Sequence, residues 1–174
     1  MSKLIKNIIA KRTADHTHNI PLQTTGKLYT SPMPYSCYDT GHRVIKNYLD
    51  KNIDMVFSLV TDKEVKEKSR HDLFKQYKKN KIQYTRYVIK DFQAPTIDFC
   101  NEVSKDAEKR LTRGENIAIH CYLGIGRTAL VVCCILIRVS KMSADEAVSY
   151  VKETLKANLT TEQVYIIHEY EKQI

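Results

Sequence analysis

Residues 115–128 read E-N-I-A-I-H-C-Y-L-G-I-G-R-T. Ile117, Ala118 and Ile119 are a short apolar run of the kind that makes a buried strand. The polar pair His120 and Cys121 ends it, and a loop with Gly124 and Gly126 follows. Arg127 and Thr128 then lead into A-L-V-V-C-C-I-L-I, nine apolar residues with no turn signal. Strand, glycine loop and helix in that order aim backbone N–H groups and a helix N-terminus at one spot, which makes an anion site. The same dipoles favour the charged form of a cysteine at its mouth.

Three chemistries use such a loop. A nucleotide-binding G-x-x-x-x-G-K-[ST] loop matches Gly126-Arg127-Thr128 at its end, but Cys121 stands at the first glycine and Arg127 at the lysine. A dinucleotide fingerprint, G-x-G-x-x-A over 124–129, needs a second strand ending in an acid about twenty residues on. The chain there reads S-A-D-E-A-V-S-Y-V, a helical pattern. The third chemistry is a cysteine nucleophile with an arginine six positions later, C-x5-R-[ST]. Cys121 attacks phosphorus, while the loop amides and the planar Arg127 fork bind the phosphoryl oxygens. The Thr128 hydroxyl hydrogen-bonds the thiolate as it leaves, and His120 orients the loop through its ring nitrogens.

The phrase His120-Cys121-Tyr122-Leu123-Gly124-Ile125-Gly126-Arg127-Thr128 resembles the cysteine-dependent protein tyrosine phosphatase superfamily, and within it the small, atypical dual-specificity phosphatases. The resemblance implies a phosphocysteine intermediate, a phosphate loop formed by 122–127, and neither metal nor cofactor. A phosphate ester leaves poorly as an alkoxide or phenoxide, so a neutral carboxylic acid must protonate the leaving oxygen. Asp91 is the candidate: it lies thirty residues before Cys121, directly after a strand pattern, in K-D-F-Q-A-P, which closes at Pro95. In the resembling family the acid occupies a mobile loop at about this distance. Asp98, the nearest rival, falls inside the following helix. Thr161-Glu162-Gln163 resembles a region where family members place a water-positioning residue, although Gln163 also serves an ordinary capping box.

Two departures from the larger family stand out. Ala129 follows Thr128 where glycine is common, and Tyr122, Leu123 and Ile125 carry no charge. The uncharged loop is unlike the lysine-bearing loops of the superfamily's phosphoinositide phosphatases and favours a phosphoprotein substrate. Cys133 and Cys134, adjacent on the apolar helix, read as small buried hydrophobes rather than as partners of the nucleophile.

The 174 residues suffice for one domain with its own core. No run of eighteen apolar residues spans a membrane, and Lys6 interrupts the apolar start, so no secretory signal is expected. Five cysteines, an odd count without zinc-type spacing, fit a reducing intracellular, cytoplasmic setting. The first 90 residues carry 18 lysines and arginines against 8 acids, and the other 84 carry 10 against 12. A positive first half steers acidic partners towards the site. Nucleic acid is not favoured, because no recognisable binding module accompanies the charge.

In chain order the pattern predicts an arm over 1–26 with a short helix, then a catalytic domain over 27–174. A strand is expected at 26–29, a helix capped by Asp39 and running to Lys51, and a buried strand at 53–60. One charged helix from Asp62 to Asn80 precedes a strand at 82–89. Helices from Thr96 to Arg113 and from the glycine loop to Lys141 flank the strand at 117–119, and capping boxes at 143–146 and 160–163 open two more. Strands alternating with helices give an α/β domain with a mostly parallel sheet flanked by helices, as in protein tyrosine phosphatases. The expected activity is metal-independent hydrolysis of phosphotyrosine, with phosphoserine and phosphothreonine also in reach, in a phosphorylated protein. An RNA 5′-triphosphatase, a phosphoinositide phosphatase and a phosphate-binding pseudophosphatase stay open at this point.

Overall fold

The computed structural model describes residues 16–174, so the reading of residues 1–15 as part of an arm lies outside the described residues. Strands β1 (His18–Ile20), β2 (Leu28–Ser31), β3 (Met55–Ser58), β4 (Gln83–Arg86) and β5 (Ile117–His120) form one sheet in the order β1-β2-β5-β3-β4. Only β1 runs antiparallel, pairing His18 with Thr30, and the other pairs are parallel. The strand before the glycine loop is therefore central, with Ile117 opposite Leu28 on one side and Met55 on the other.

Seven helices among the described residues cover both faces: α1 (Val44–Asp50), α2 (Asp62–Lys68), α3 (Leu73–Lys79), α4 (Ile97–Thr112), α5 (Arg127–Ser140), α6 (Ala144–Thr154) and α7 (Thr161–Glu171). Strand alternation divides the core. Ile117 and Ile119 of β5 and Phe57 of β3 pack with α4, α5, α6 and α7, whereas Ala118 and Val56 pack with α1, α2 and α3. Helix α5 is buried on every side from Ala129 to Leu136, which is why its sequence is apolar all round rather than amphipathic. Each such aliphatic side chain contributes about 1.5–3 kcal/mol by leaving water, so α5 fixes the strand behind the loop.

Several expected boundaries move for local reasons. Within the expected arm, residues 18–20 add an antiparallel edge strand that was not expected. The first helix starts at Val44 rather than directly after Asp39, because Gly41 and His42 adopt left-handed backbone (φ 75° and 52°). Asp39 still caps at a distance, its carboxylate accepting from the amides of Arg43 (2.8 Å) and Val44 (3.1 Å). The long helix over 62–80 is two helices: Ser69 turns extended, and Asp72 accepts from the Lys75 amide to start α3. Thr61, not Asp62, caps α2, in a capping box with Glu64. The boxes at Ser143–Glu146 and Thr160–Gln163 are present. No helix among the described residues is long and apolar enough to cross a membrane.

Candidate active site

The loop 121–126, expected to bind phosphate, hangs between the end of β5 and the start of α5. Gly124 is needed there twice over: its φ is +82°, and an added Cβ would overlap the Ser31 carbonyl. This turn lets the Gly124 N–H point at the Cys121 Sγ, 3.1 Å away. Neighbouring chain holds the loop from outside, through Met33 N–H to the Tyr122 carbonyl (3.1 Å) and Asn158 N–H to the Ile125 carbonyl (3.0 Å). Gly126 caps α5 without a side-chain bond, so the first-turn amides of α5 remain directed at the loop. Cys121 is 3% exposed.

His120 is fully buried and its two nitrogens have separate tasks. Nδ1 lies 3.3 Å from the Cys121 carbonyl and Nε2 lies 2.9 Å from the Tyr77 hydroxyl. A carbonyl only accepts, so Nδ1 carries the proton and Nε2 accepts from Tyr77. Burial lowers the His120 pKa to about 4, and burial likewise raises that of Tyr77, so both stay neutral and the pairing is preserved. Tyr77 comes from α3, on the face of the sheet towards which β5 alternation turns His120.

Arg127 is 2% exposed and almost fully engaged. Nη1 donates to Glu64 Oε2 (2.9 Å) and to the Ile89 carbonyl (2.9 Å), and Nη2 donates to Glu64 Oε1 (2.7 Å). Asp91 Oδ1 lies 3.1 Å from the same Nη2. Burial works against the guanidinium charge, but Glu64, Cys121 and Asp91 more than offset it and the Arg127 pKa rises. Glu64 shows the mirror image: burial opposes its charge, and hydrogen bonds from Arg127 and Thr61 hold its carboxyl below the ordinary value. Nε of Arg127 is buried without a hydrogen-bond partner among the described residues.

The structure brings His120, Cys121, the loop 122–126, Arg127 and Asp91 together. The Thr128 hydroxyl is buried without a partner among the described residues, so the expected bond to Cys121 is not formed here. The outcome differs for the two water-positioning candidates. Gln163 is 1% exposed, lines the cleft and donates from Nε2 to the Gln93 carbonyl (3.1 Å) in the Asp91 loop. Glu162 is exposed and does not line the cleft. Cys133 and Cys134 are fully buried, and burial pushes the Cys133 thiol up to about 12 and raises that of Cys134 as well.

The cleft above the loop has a volume of about 520 Å³. Tyr38, Phe92 and Tyr122 give it an aromatic wall, and Lys68, Lys152 and Lys156 give it a basic rim. Sequence reasoning missed Glu64, Tyr77 and all three lysines. The capping box T-D-K-E at 61–64 was a legible signal for where Glu64 sits on its helix. Nothing local pointed to its partner 63 residues away.

A family model described as the catalytic domain of dual specificity phosphatases matches residues 37–173. Cyclin-dependent kinase inhibitor 3 of Sus scrofa is 30% identical over 106 residues, which are 59% of this chain and 49% of that protein. The chain thus spans about half the length of this curated relative. A structure of kinase associated phosphatase with its catalytic cysteine changed to serine superposes with a TM-score of 0.78 at 21% identity, covering 90% of this chain and 94% of that one. PTPMT1 in complex with PI(5)P superposes with a TM-score of 0.72, also at 21% identity, covering 91% and 96%. At these identities the two superpositions speak to the fold.

Proposed function

The chain belongs to the dual specificity phosphatase family, and from that membership we propose that it hydrolyses phosphotyrosine in proteins, with phosphoserine and phosphothreonine as further substrates. One observation carries the proposal. Glu64 occupies the Nη1–Nη2 edge of Arg127, which leaves the Nε–Nη2 edge, with its unpartnered Nε–H, for two phosphoryl oxygens. Phosphate docking there replaces Asp91 on Nη2 and frees its carboxyl for the leaving oxygen. The aromatic wall of Tyr38, Phe92 and Tyr122 suits the ring of a phosphotyrosine.

The chemistry then runs in two displacements. Cys121 Sγ attacks phosphorus as the P–O ester bond breaks, and the leaving oxygen takes a proton from Asp91. Loop amides and Arg127 hold the charge on the three equatorial oxygens. Asp91, now ionised, removes a proton from a water positioned by Gln163. The water oxygen bonds to phosphorus, the P–S bond breaks, and the thiolate is restored. A thiolate nucleophile and five free cysteines support a reducing, intracellular setting.

The test uses Cys121→Ser. This variant should bind phosphotyrosine peptide and release no phosphate from it or from para-nitrophenyl phosphate; undiminished turnover removes Cys121 from the reaction. On the wild type, kcat/KM should be highest for phosphotyrosine peptide. A higher value on triphosphate-ended RNA or on phosphoinositide vesicles overturns the protein substrate.

A further inference from the structure

We infer that Lys68, Lys152 and Lys156 form a second anion subsite on the rim of the cleft, which selects peptides carrying another phosphate or carboxylate beside the phosphotyrosine. The inference rests on the phosphotyrosine reading of the site. Three elements deliver the lysines separately. Lys68 sits four residues after Glu64 on α2, so both lie on one helix face, and the helix that fixes Arg127 also turns Lys68 to the cleft. Lys152 lies in the last turn of α6. Lys156 follows α6 on left-handed backbone (φ 54°), in the loop that Asn158 ties to the Ile125 carbonyl of the phosphate loop.

Lys68 differs from a lysine on an ordinary solvated face: it is half-buried, with its Nζ 4.3 Å from the centre of the Tyr122 ring, which holds it at the mouth. Among the described residues none of the three lysines makes an ion pair, a state they share with other lysines such as the exposed Lys66 and Lys78, but these three line the concave cleft. Asp91 is the one acid lining the cleft among the described residues, and it answers to Arg127. Once phosphate occupies the loop, the three ammonium groups are left facing the rest of the substrate in a concave site that focuses their field. The aromatic wall beneath them favours a peptide over a lipid headgroup.

The experiment compares two phosphotyrosine peptides that differ only in flanking residues, one with alanines and one with glutamate and phosphoserine. The wild type should prefer the acidic peptide by about tenfold or more in kcat/KM, more at low salt than at high. In Lys152→Ala/Lys156→Ala, two exposed sites, that preference should shrink to about threefold or less. Equal rates in the wild type, or an undiminished preference in the variant, overturn the subsite. If neither peptide is hydrolysed while para-nitrophenyl phosphate is, the phosphotyrosine reading fails. The subsite is then judged by competition, and equal inhibition of para-nitrophenyl phosphate turnover by the two peptides overturns it. Phosphoinositide vesicles turned over faster than the acidic peptide, with loss in the variant, would assign the lysines to lipid and overturn the peptide assignment.

Discussion

Glu64 and Arg127 meet edge to edge, through Nη1–Oε2 at 2.9 Å and Nη2–Oε1 at 2.7 Å, with both side chains nearly buried. Glu64 also closes the α2 capping box, so one carboxylate both starts a helix and holds Arg127. Glu64→Ala leaves the buried guanidinium with only the part-exposed Asp91 carboxylate beside it, which costs about 3–5 kcal/mol. Urea denaturation should register a loss of that size. Glu64→Gln keeps the cap and part of the pairing. It should lower kcat/KM by about tenfold to a hundredfold with a smaller loss of stability, about 1–3 kcal/mol. A variant as active as the wild type would show that Arg127 holds its pose unaided.

Asp91 shares Nη2 of Arg127 with Glu64 at 3.1 Å and is 40% exposed at its side chain. Its neutral substitute, Asp91→Asn, should lower kcat by about a hundredfold to ten-thousandfold and erase the alkaline limb of the pH–rate profile. The same change removes a carboxylate that competes for the arginine, so inorganic phosphate should inhibit the variant at lower concentration. A profile that keeps its limb places the acid elsewhere.

For His120 the pH dependence has a definite sign. The ordinary imidazole value is 6.5, and burial lowers it to about 4 in the fold. As pH falls, the unfolded chain takes up the proton first. The stability present above pH 6.5 is therefore lost progressively down to about pH 4, by up to about 3 kcal/mol. Denaturation midpoints across pH 7.5 to 4.5 should follow this course, and His120→Asn should flatten it. The carboxyl of Glu64, held below its ordinary 4.5, adds its own loss only at lower pH. An unaltered slope in the His120 variant would assign the dependence to other groups.

Gly124→Ala introduces a Cβ at φ +82° and into the Ser31 carbonyl. Left-handed backbone costs a non-glycine residue about 1–2 kcal/mol before any clash. The loop should shift away from β2, and kcat/KM on para-nitrophenyl phosphate should fall at least tenfold. Retained activity would mean that the loop tolerates a different turn.

How legible this was follows from the range of each interaction. The loop 121–127 and its strand and helix were readable because their chemistry is contiguous, and Asp91 because it follows a strand and precedes Pro95. Capping boxes at Ser143 and Thr160 were readable for the same reason: a cap involves residues three apart. The break at Ser69 escaped notice because the charged run from 62 to 80 has helical composition throughout, and only Asp72, capping α3, marks the restart. Glu64, Tyr77 and Lys68 were illegible as site residues. Their partners Arg127, His120 and Tyr122 lie far along the chain, and the sheet order β2-β5-β3 that brings them close is a tertiary fact.

The hydrogen bond from Gln163 to the Gln93 carbonyl spans 70 residues and joins the last helix to the loop that carries Asp91. Gln163 also closes the cap of α7 on Thr160, so one side chain holds both the start of that helix and the loop that carries Asp91. Under the proposed mechanism, proton delivery by Asp91 then depends on the local order of this eleven-residue helix.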